Sequence, residues 1–233
     1  MLALNDMFYV IVGNYGSGKT ELALALARHL KNRSQGRVAL VDLDIVNPYF
    51  RSAERADLLR QEGIEVKMPS FAMSTVDIPA LPAEIQAVFE PGRYDHVVID
   101  VGGDDTGATA LGRYAPFIQP IRDRMRVLYV VNAFRPLSGT VEDICELSSL
   151  IQARARLTPD LLVNNANLQR QTTADDLIGA QALLQQVSER IGVPIGMVAG
   201  YARLRDALPA EMREIFFPME PLMLPEWLED DLA

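Results

Sequence analysis

The 233-residue chain has one cysteine, two histidines, three lysines and no apolar run of 18 residues or more. A lone thiol, Cys145, excludes a disulfide framework and fits a reducing compartment. His29 and His96 share no ligand spacing with any cysteine or histidine, so no zinc site is expected. Without a long apolar run, no segment spans a bilayer as a helix. The opening residues Met1–Asp6 have no basic stretch, and Asn5 and Asp6 interrupt the apolar ones, so no secretory leader is expected. Basic charge is also short: 22 Lys+Arg against 31 Asp+Glu give a net charge of −9. That balance argues against a nucleic-acid or anionic-membrane binder. Together these absences imply a soluble cytoplasmic protein.

Apolar residues are plentiful, at 49% of the chain, which excludes disorder. The length implies a single domain over 1–233. Short, β-branched runs recur at Phe8–Val12, Arg37–Val41, His96–Asp100, Arg126–Val131 and Asp160–Val163. A weaker one lies at Pro194–Val198 and a short one at Ile64–Val66. They are continuous rather than alternating, as parallel strands covered on both faces require. Helices are expected at 18–32, 51–62, 82–90, 138–154 and 173–191. On the fourth, Val141, Ile144, Leu147, Leu150 and Ile151 share a face. Strands alternating with helices imply an α/β domain. The proline-bearing loop 67–82 is long enough to suggest function.

The first strand runs into Gly13-Asn-Tyr-Gly-Ser-Gly-Lys-Thr20, which fits G-x-x-x-x-G-K-[ST] between a strand and a helix. Glycines let the backbone curl so that its N–H groups face phosphate oxygens. The helix N-terminus adds positive partial charge. Lys19 brings a full charge to the β/γ-phosphates, and Thr20 a hydroxyl to Mg²⁺. The alternative is a glycine-rich turn that merely caps a helix.

Two further strand ends carry carboxylates. Asp42-Leu-Asp44 closes the second strand, at the edge where open parallel sheets bind ligands. One aspartate suits hydrated Mg²⁺, and the other suits a water attacking phosphorus; solvated side chains beside the Asn47-Pro48 turn are the plain alternative. His96-Val-Val-Ile-Asp100 is followed by Val-Gly102-Gly103. Apolar positions ending in aspartate form a Walker B pattern, and the glycines allow close approach to a γ-phosphate. After the strand at 160–163 come Asn164-Asn165-Ala-Asn167-Leu168. An amide can read the adenine N6/N7 edge in two bonds. Asn164, continuing the strand, is the first candidate reader and Asn165 the second, with Gly200–Arg203 as another edge of the pocket. The loop has no aspartate to accept from guanine, so ATP is favoured over GTP. Turn-forming asparagines are the alternative.

The phosphate loop 13–20, Asp42-Leu-Asp44 with Asn47, Asp100-x-Gly102-Gly103 and Asn164 together resemble the signal-recognition/MinD/BioD branch of P-loop NTPases. The MinD/ParA/CobQ/CobB type is the nearest likeness, over about 7–205, leaving 206–233 as a C-terminal wrap or partner-binding tail. The resemblance implies a three-layer P-loop NTPase fold, with a mainly parallel sheet and helices on both faces. It implies ATP and Mg²⁺ as ligands and slow ATP hydrolysis. Lys19 and Asp44 would be catalytic, Asp44 tending the attacking water. Nucleotide would be held by Gly13, Asn14, Tyr15, Gly16, Ser17, Gly18, Lys19, Thr20, Glu21 and Gly103, with Asn164 and Asn165 at the base. Mg²⁺ would be held, directly or through water, by Thr20, Asp42, Asp44 and Asp100. Many members dimerise around two ATP molecules, so a homodimer is an open expectation. ParA- and MinD-like loops carry a lysine after the first glycine; here the residue is Asn14, and Arg51 is the candidate substitute. The tail is acidic, against a membrane anchor.

Two leading functions follow. One is an ATPase that couples nucleotide state to an unidentified protein partner. The other is an ATP-dependent ligase or kinase for a small-molecule carboxylate, like cobyrinic acid a,c-diamide synthase or dethiobiotin synthetase, although the chain has no room for a glutaminase domain. A non-catalytic nucleotide module or a GTPase metallochaperone is a third, and the scarcity of Cys and His argues against the metallochaperone.

Overall fold

Strand β1 (Phe8–Gly13) is buried along its whole length, and alternate side chains enter separate cores. Phe8, Val10 and Val12 pack on one face of the sheet, Tyr9 and Ile11 on the other. A strand with two buried faces has no position for a polar side chain, which is why its sequence is an unbroken apolar run. The computed structural model describes residues 4–44, 53–68, 83–103 and 105–219, without the side chains of 53–55, 105 and 106.

The other strands are β2 (Val38–Asp42), β3 (Ile64–Lys67), β4 (His96–Asp100), β5 (Met125–Val131), β6 (Leu161–Asn164), β7 (Ile195–Gly200) and β8 (Phe216–Pro218). They form one sheet in the order β3-β2-β4-β1-β5-β6-β7-β8, with every pairing parallel. The helices are α1 (Lys19–Ser34), α2 (Ala53–Gln61), α3 (Ala83–Gln86), α4 (Asp105–Arg113), α5 (Ala115–Ile118), α6 (Val141–Ala155), α7 (Ala174–Ile191) and α8 (Ala210–Glu214). Helices therefore cover both faces of a parallel sheet, as the alternating pattern implies.

The differences from expectation have local causes. The stretch 82–90 is a single α-turn continued as a 3₁₀ turn, Ala87–Phe89. The fourth predicted helix starts at Val141 rather than 138, because the Thr140 side chain caps it by accepting from Asp143 N at 3.2 Å. Helices α4 and α5 and strand β8 were not expected. β8 lies in the stretch assigned to a tail, but its three residues pair with β7 and extend the sheet. Arg122 and Arg126 pin β5: Arg122 Nη2 meets Asp160 Oδ1 at 2.8 Å and Arg126 Nε meets Asp6 Oδ2 at 3.2 Å. Cys145 is buried on α6, and burial pushes its thiol up.

The sheet topology gathers chemistry at one edge. β1 sits between β4 and β5, with β2 beyond β4 and β6 beyond β5. In a parallel sheet all C-terminal ends open on the same side. The residues that follow β1, β2, β4, β5 and β6 therefore converge.

Candidate functional site

The loop 13–20 leaves β1 through Gly13 at φ 151° and turns through Gly16 at 70° and Gly18 at 88°. L-residues rarely take these angles. Space is closed as well: a Cβ on Gly13 would run into Val130 O, and one on Gly18 into Asn165 Nδ2. Gly18 then caps α1 with no side-chain hydrogen bond. Helices α6 and α7 spend Thr140 and Thr173 on their first turns. The first turn of α1 offers its N–H groups to a ligand instead. Glu21 lies in that turn.

Lys19 is buried, and its Nζ donates to Asn14 O at 2.8 Å, closing the loop on itself. Gly103 lies against this arch: a Cβ there would come within 2.6 Å of Lys19 Nζ and of Tyr15 N. The glycines after β4 thus let two backbones meet across the ammonium group. Tyr15 contributes backbone here, while its side chain is 67% exposed.

Thr20 Oγ1 donates to Asp100 Oδ2 at 2.7 Å. Asp100 ends β4 opposite Asp42 of β2, and Leu43 N donates to Asp100 O at 2.8 Å. Asp42 Oδ1 accepts from Asp44 N at 2.9 Å. Burial raises the Asp100 carboxyl to about 6, opposed by the Thr20 bond and the charge of Lys19, while Asp44 raises it further. Asp100 Oδ1 is buried and accepts no hydrogen bond among the described residues. A buried carboxylate oxygen in that state suits a cation or its water. Among the described residues no three His, Cys, Asp or Glu cluster as a metal cage. The donor set of a hydroxyl and carboxylates fits Mg²⁺, which keeps several waters and takes phosphate oxygens. Asn47 and Arg51 lie outside the described residues.

The base-reading expectation needs a correction. Asn164 is fully buried, and its Nδ2 donates to Leu177 O and to Gln181 Oε1, each at 2.9 Å. Its Oδ1 accepts from Ala166 N at 3.2 Å. Both amide hydrogens are spent inside the fold, because the end of β6 lies beneath α7. Asn165 turns the other way: its Nδ2 donates to Ser17 O at 2.7 Å, and its buried Oδ1 has no hydrogen-bond partner among the described residues. The structure thus brings Asn165, not Asn164, to the phosphate loop. Arg203, from the predicted second edge, donates to Arg170 O at 2.8 Å and lies over the Tyr201 ring at 5.2 Å, joining the loops after β6 and β7.

The loop after β5 was missed. Asn132 Oδ1 accepts from Phe134 N at 3.1 Å and Asn167 N at 3.2 Å, while its Nδ2 donates to Asn167 O at 3.1 Å. Asn14 Nδ2 donates to Pro136 O at 2.7 Å and to Ser138 Oγ at 3.1 Å. Arg135 Nε donates to Gly16 O at 2.9 Å. The signal in the sequence was Asn132, a polar residue directly after the apolar run that ends at Val131, as Asn164 follows Val163.

No family model and no curated protein matches the sequence. Solved structures do. FtsY from Mycoplasma mycoides is similar with a TM-score of 0.56 and 17% identity, over 82% of this chain and 60% of that one. FlhF complexed with GTP and Mg²⁺ is similar at 0.55 and 16%, over 84% and 66%. Chloroplast FtsY from Physcomitrella patens is similar at 0.54 and 15%, over 83% and 58%. This chain spans less than two thirds of each of these proteins. The fold is that of the P-loop NTPases, in the arrangement found in FtsY and FlhF.

Proposed function

We propose that the protein binds a purine nucleoside triphosphate with Mg²⁺ and hydrolyses it slowly, coupling nucleotide state to a protein partner. The observation that carries this reading is the 2.7 Å bond from Thr20 to Asp100, between the start of α1 and the end of the Walker B strand. It puts a hydroxyl and a buried carboxylate beside Lys19, at the mouth of an uncapped helix.

In this reading the N–H groups of 13–20 and the Lys19 ammonium hold the β- and γ-phosphates, with Lys19 leaving Asn14 O to do so. Thr20 and Asp100, with Asp42, hold the ion. Mg²⁺, when bound, supplies charge neutralisation on the phosphate oxygens. Asp44 sits close enough to Asp100 to raise its pKa. It orients the attacking water and accepts hydrogen bonds from it. Gly103 lies against Lys19 Nζ and Tyr15 N, so in this reading the segment after β4 is the natural reporter of γ-phosphate loss.

The nucleotide we favour is ATP. The buried Asn165 Oδ1 is an acceptor with no hydrogen-bond partner among the described residues, which suits the adenine amine, and Leu168 stands where an aspartate would read guanine. GTP is the competing reading, because FlhF has been crystallised with GTP and Mg²⁺. The MinD/ParA/CobQ/CobB type also belongs to the proposal, with one departure. Asn14 is tied to Pro136 and Ser138 of its own chain, and it carries no charge toward a partner. The test is calorimetry with Mg-ATP and Mg-GTP on the wild type and Lys19→Ala, followed by phosphate release. The proposal expects binding that Lys19→Ala abolishes, and turnover that rises with a protein fraction. No heat with either nucleotide sinks it. Stimulation by small carboxylates alone would turn the reading to the ligase or kinase.

A further inference from the structure

Two consecutive peptide groups of the phosphate loop are gripped from outside by different strands. Arg135, after β5, donates Nε to Gly16 O at 2.9 Å; Asn165, after β6, donates Nδ2 to Ser17 O at 2.7 Å. A peptide plane carries its C=O and N–H in opposite directions. Holding these two carbonyls outward therefore turns the N–H groups of Ser17 and Gly18 toward the inside of the curl. Ser17 N is there, donating to Asn14 O at 3.2 Å. Asn165 is buried and neutral. Arg135 is exposed and charged, and its side chain makes no other hydrogen bond among the described residues.

Its loop is braced for the purpose. Arg135 N donates to Asn132 O and Ser138 N to Arg135 O, both at 3.1 Å. Asn14 fastens the same loop to the phosphate loop at Pro136 and Ser138. Leu137 holds a left-handed φ of 60° to complete the turn. The guanidinium consequently sits close beside the glycine, with Nε 3.3 Å and Cζ 3.6 Å from the place a Gly16 Cβ would occupy. In a chain with three lysines and a charge of −9, a fixed cation against an anion cradle is a specific feature.

We infer that Arg135 is a second cationic anchor of the phosphate loop: it fixes the Gly16–Ser17 peptide and adds positive charge at the rim, and its ligand is the polyphosphate rather than the base. The inference rests on the nucleotide reading above and deepens it. Fixed dipoles and a charge-assisted bond act on any polyphosphate, whatever base it bears.

The test is calorimetry with Mg-ATP and with inorganic tripolyphosphate and magnesium, on wild type, Arg135→Ala, Arg135→Lys and Lys19→Ala. Arg135→Ala should weaken both ligands by a similar factor of about ten or more. Arg135→Lys, which keeps a donor and a charge, should recover most of the loss. The melting temperature without ligand should stay near wild type, since the side chain is exposed. Unchanged affinities overturn the inference, as does a loss confined to ATP, which would assign the guanidinium to the base or ribose. Failure of the wild type to bind either ligand would sink the nucleotide reading itself. Binding that Lys19→Ala abolishes and Arg135→Ala leaves intact would sink this inference alone.

Discussion

The Thr20 hydroxyl and the Asp100 carboxylate are 80 residues apart in sequence and 2.7 Å apart in space. The bond joins the start of α1 to the end of β4. Thr20→Val keeps the shape and removes the donor. We expect Mg²⁺-dependent nucleotide affinity to fall by at least tenfold, a loss of about 1.4 kcal/mol or more. Calorimetry with and without magnesium measures it, and the magnesium-free affinity should change little.

The same pair sets a pH dependence. The Asp100 carboxyl titrates near its ordinary 3.8 when unfolded and at about 6 when folded, because burial disfavours its charge. Between those values the folded state holds a proton that the unfolded state has lost. Stability of the nucleotide-free protein therefore falls as pH rises through this window and levels off above it, by roughly 3 kcal/mol from this group. Asp100→Asn cannot titrate. Urea unfolding at several pH values should show the variant gaining on wild type from about pH 4 to about pH 6. A constant difference across that range contradicts the burial argument.

Gly103 has no room for a methyl group: a Cβ would sit 2.6 Å from Lys19 Nζ and from Tyr15 N, and the latter is backbone. Gly103→Ala must push the phosphate loop or the segment after β4 aside. Nucleotide affinity should drop by more than about tenfold, while far-ultraviolet circular dichroism still reports a folded α/β protein.

Asn164 and Asn165 are neighbours with separable duties. Asn164→Ala removes donors to Leu177 O and Gln181 Oε1 in a fully buried place. It should cost about 1–3 kcal/mol in denaturant unfolding and leave the ATP-to-GTP affinity ratio alone. Asn165→Ala frees Ser17 O and deletes the acceptor beside it. That change should weaken nucleotide binding and shift the ratio. If Asn164→Ala moves the ratio instead, the base assignment is reversed.

The sequence by itself determined the strands of the sheet centre, the phosphate loop and the aspartates that end β2 and β4. These are local facts. An unbroken apolar run says two covered faces, and glycines at 13, 16 and 18 say a curl that other residues cannot follow. Side-chain direction at the end of a strand is not local. Asn164 and Asn165 are the same residue type one position apart. Only α7 packing over β6 decided that the first is spent inside and the second reaches the phosphate loop. The contacts of the loop after β5 were illegible for the same reason: Arg135 and Pro136 meet Gly16 and Asn14 of the phosphate loop because β1 and β5 lie side by side. β8 was illegible too, since a strand of three residues has too short a pattern to read and exists because β7 offers it an edge. The tertiary structure decided which polar groups meet, because that depends on strand order, and strand order is settled by packing across the whole sheet.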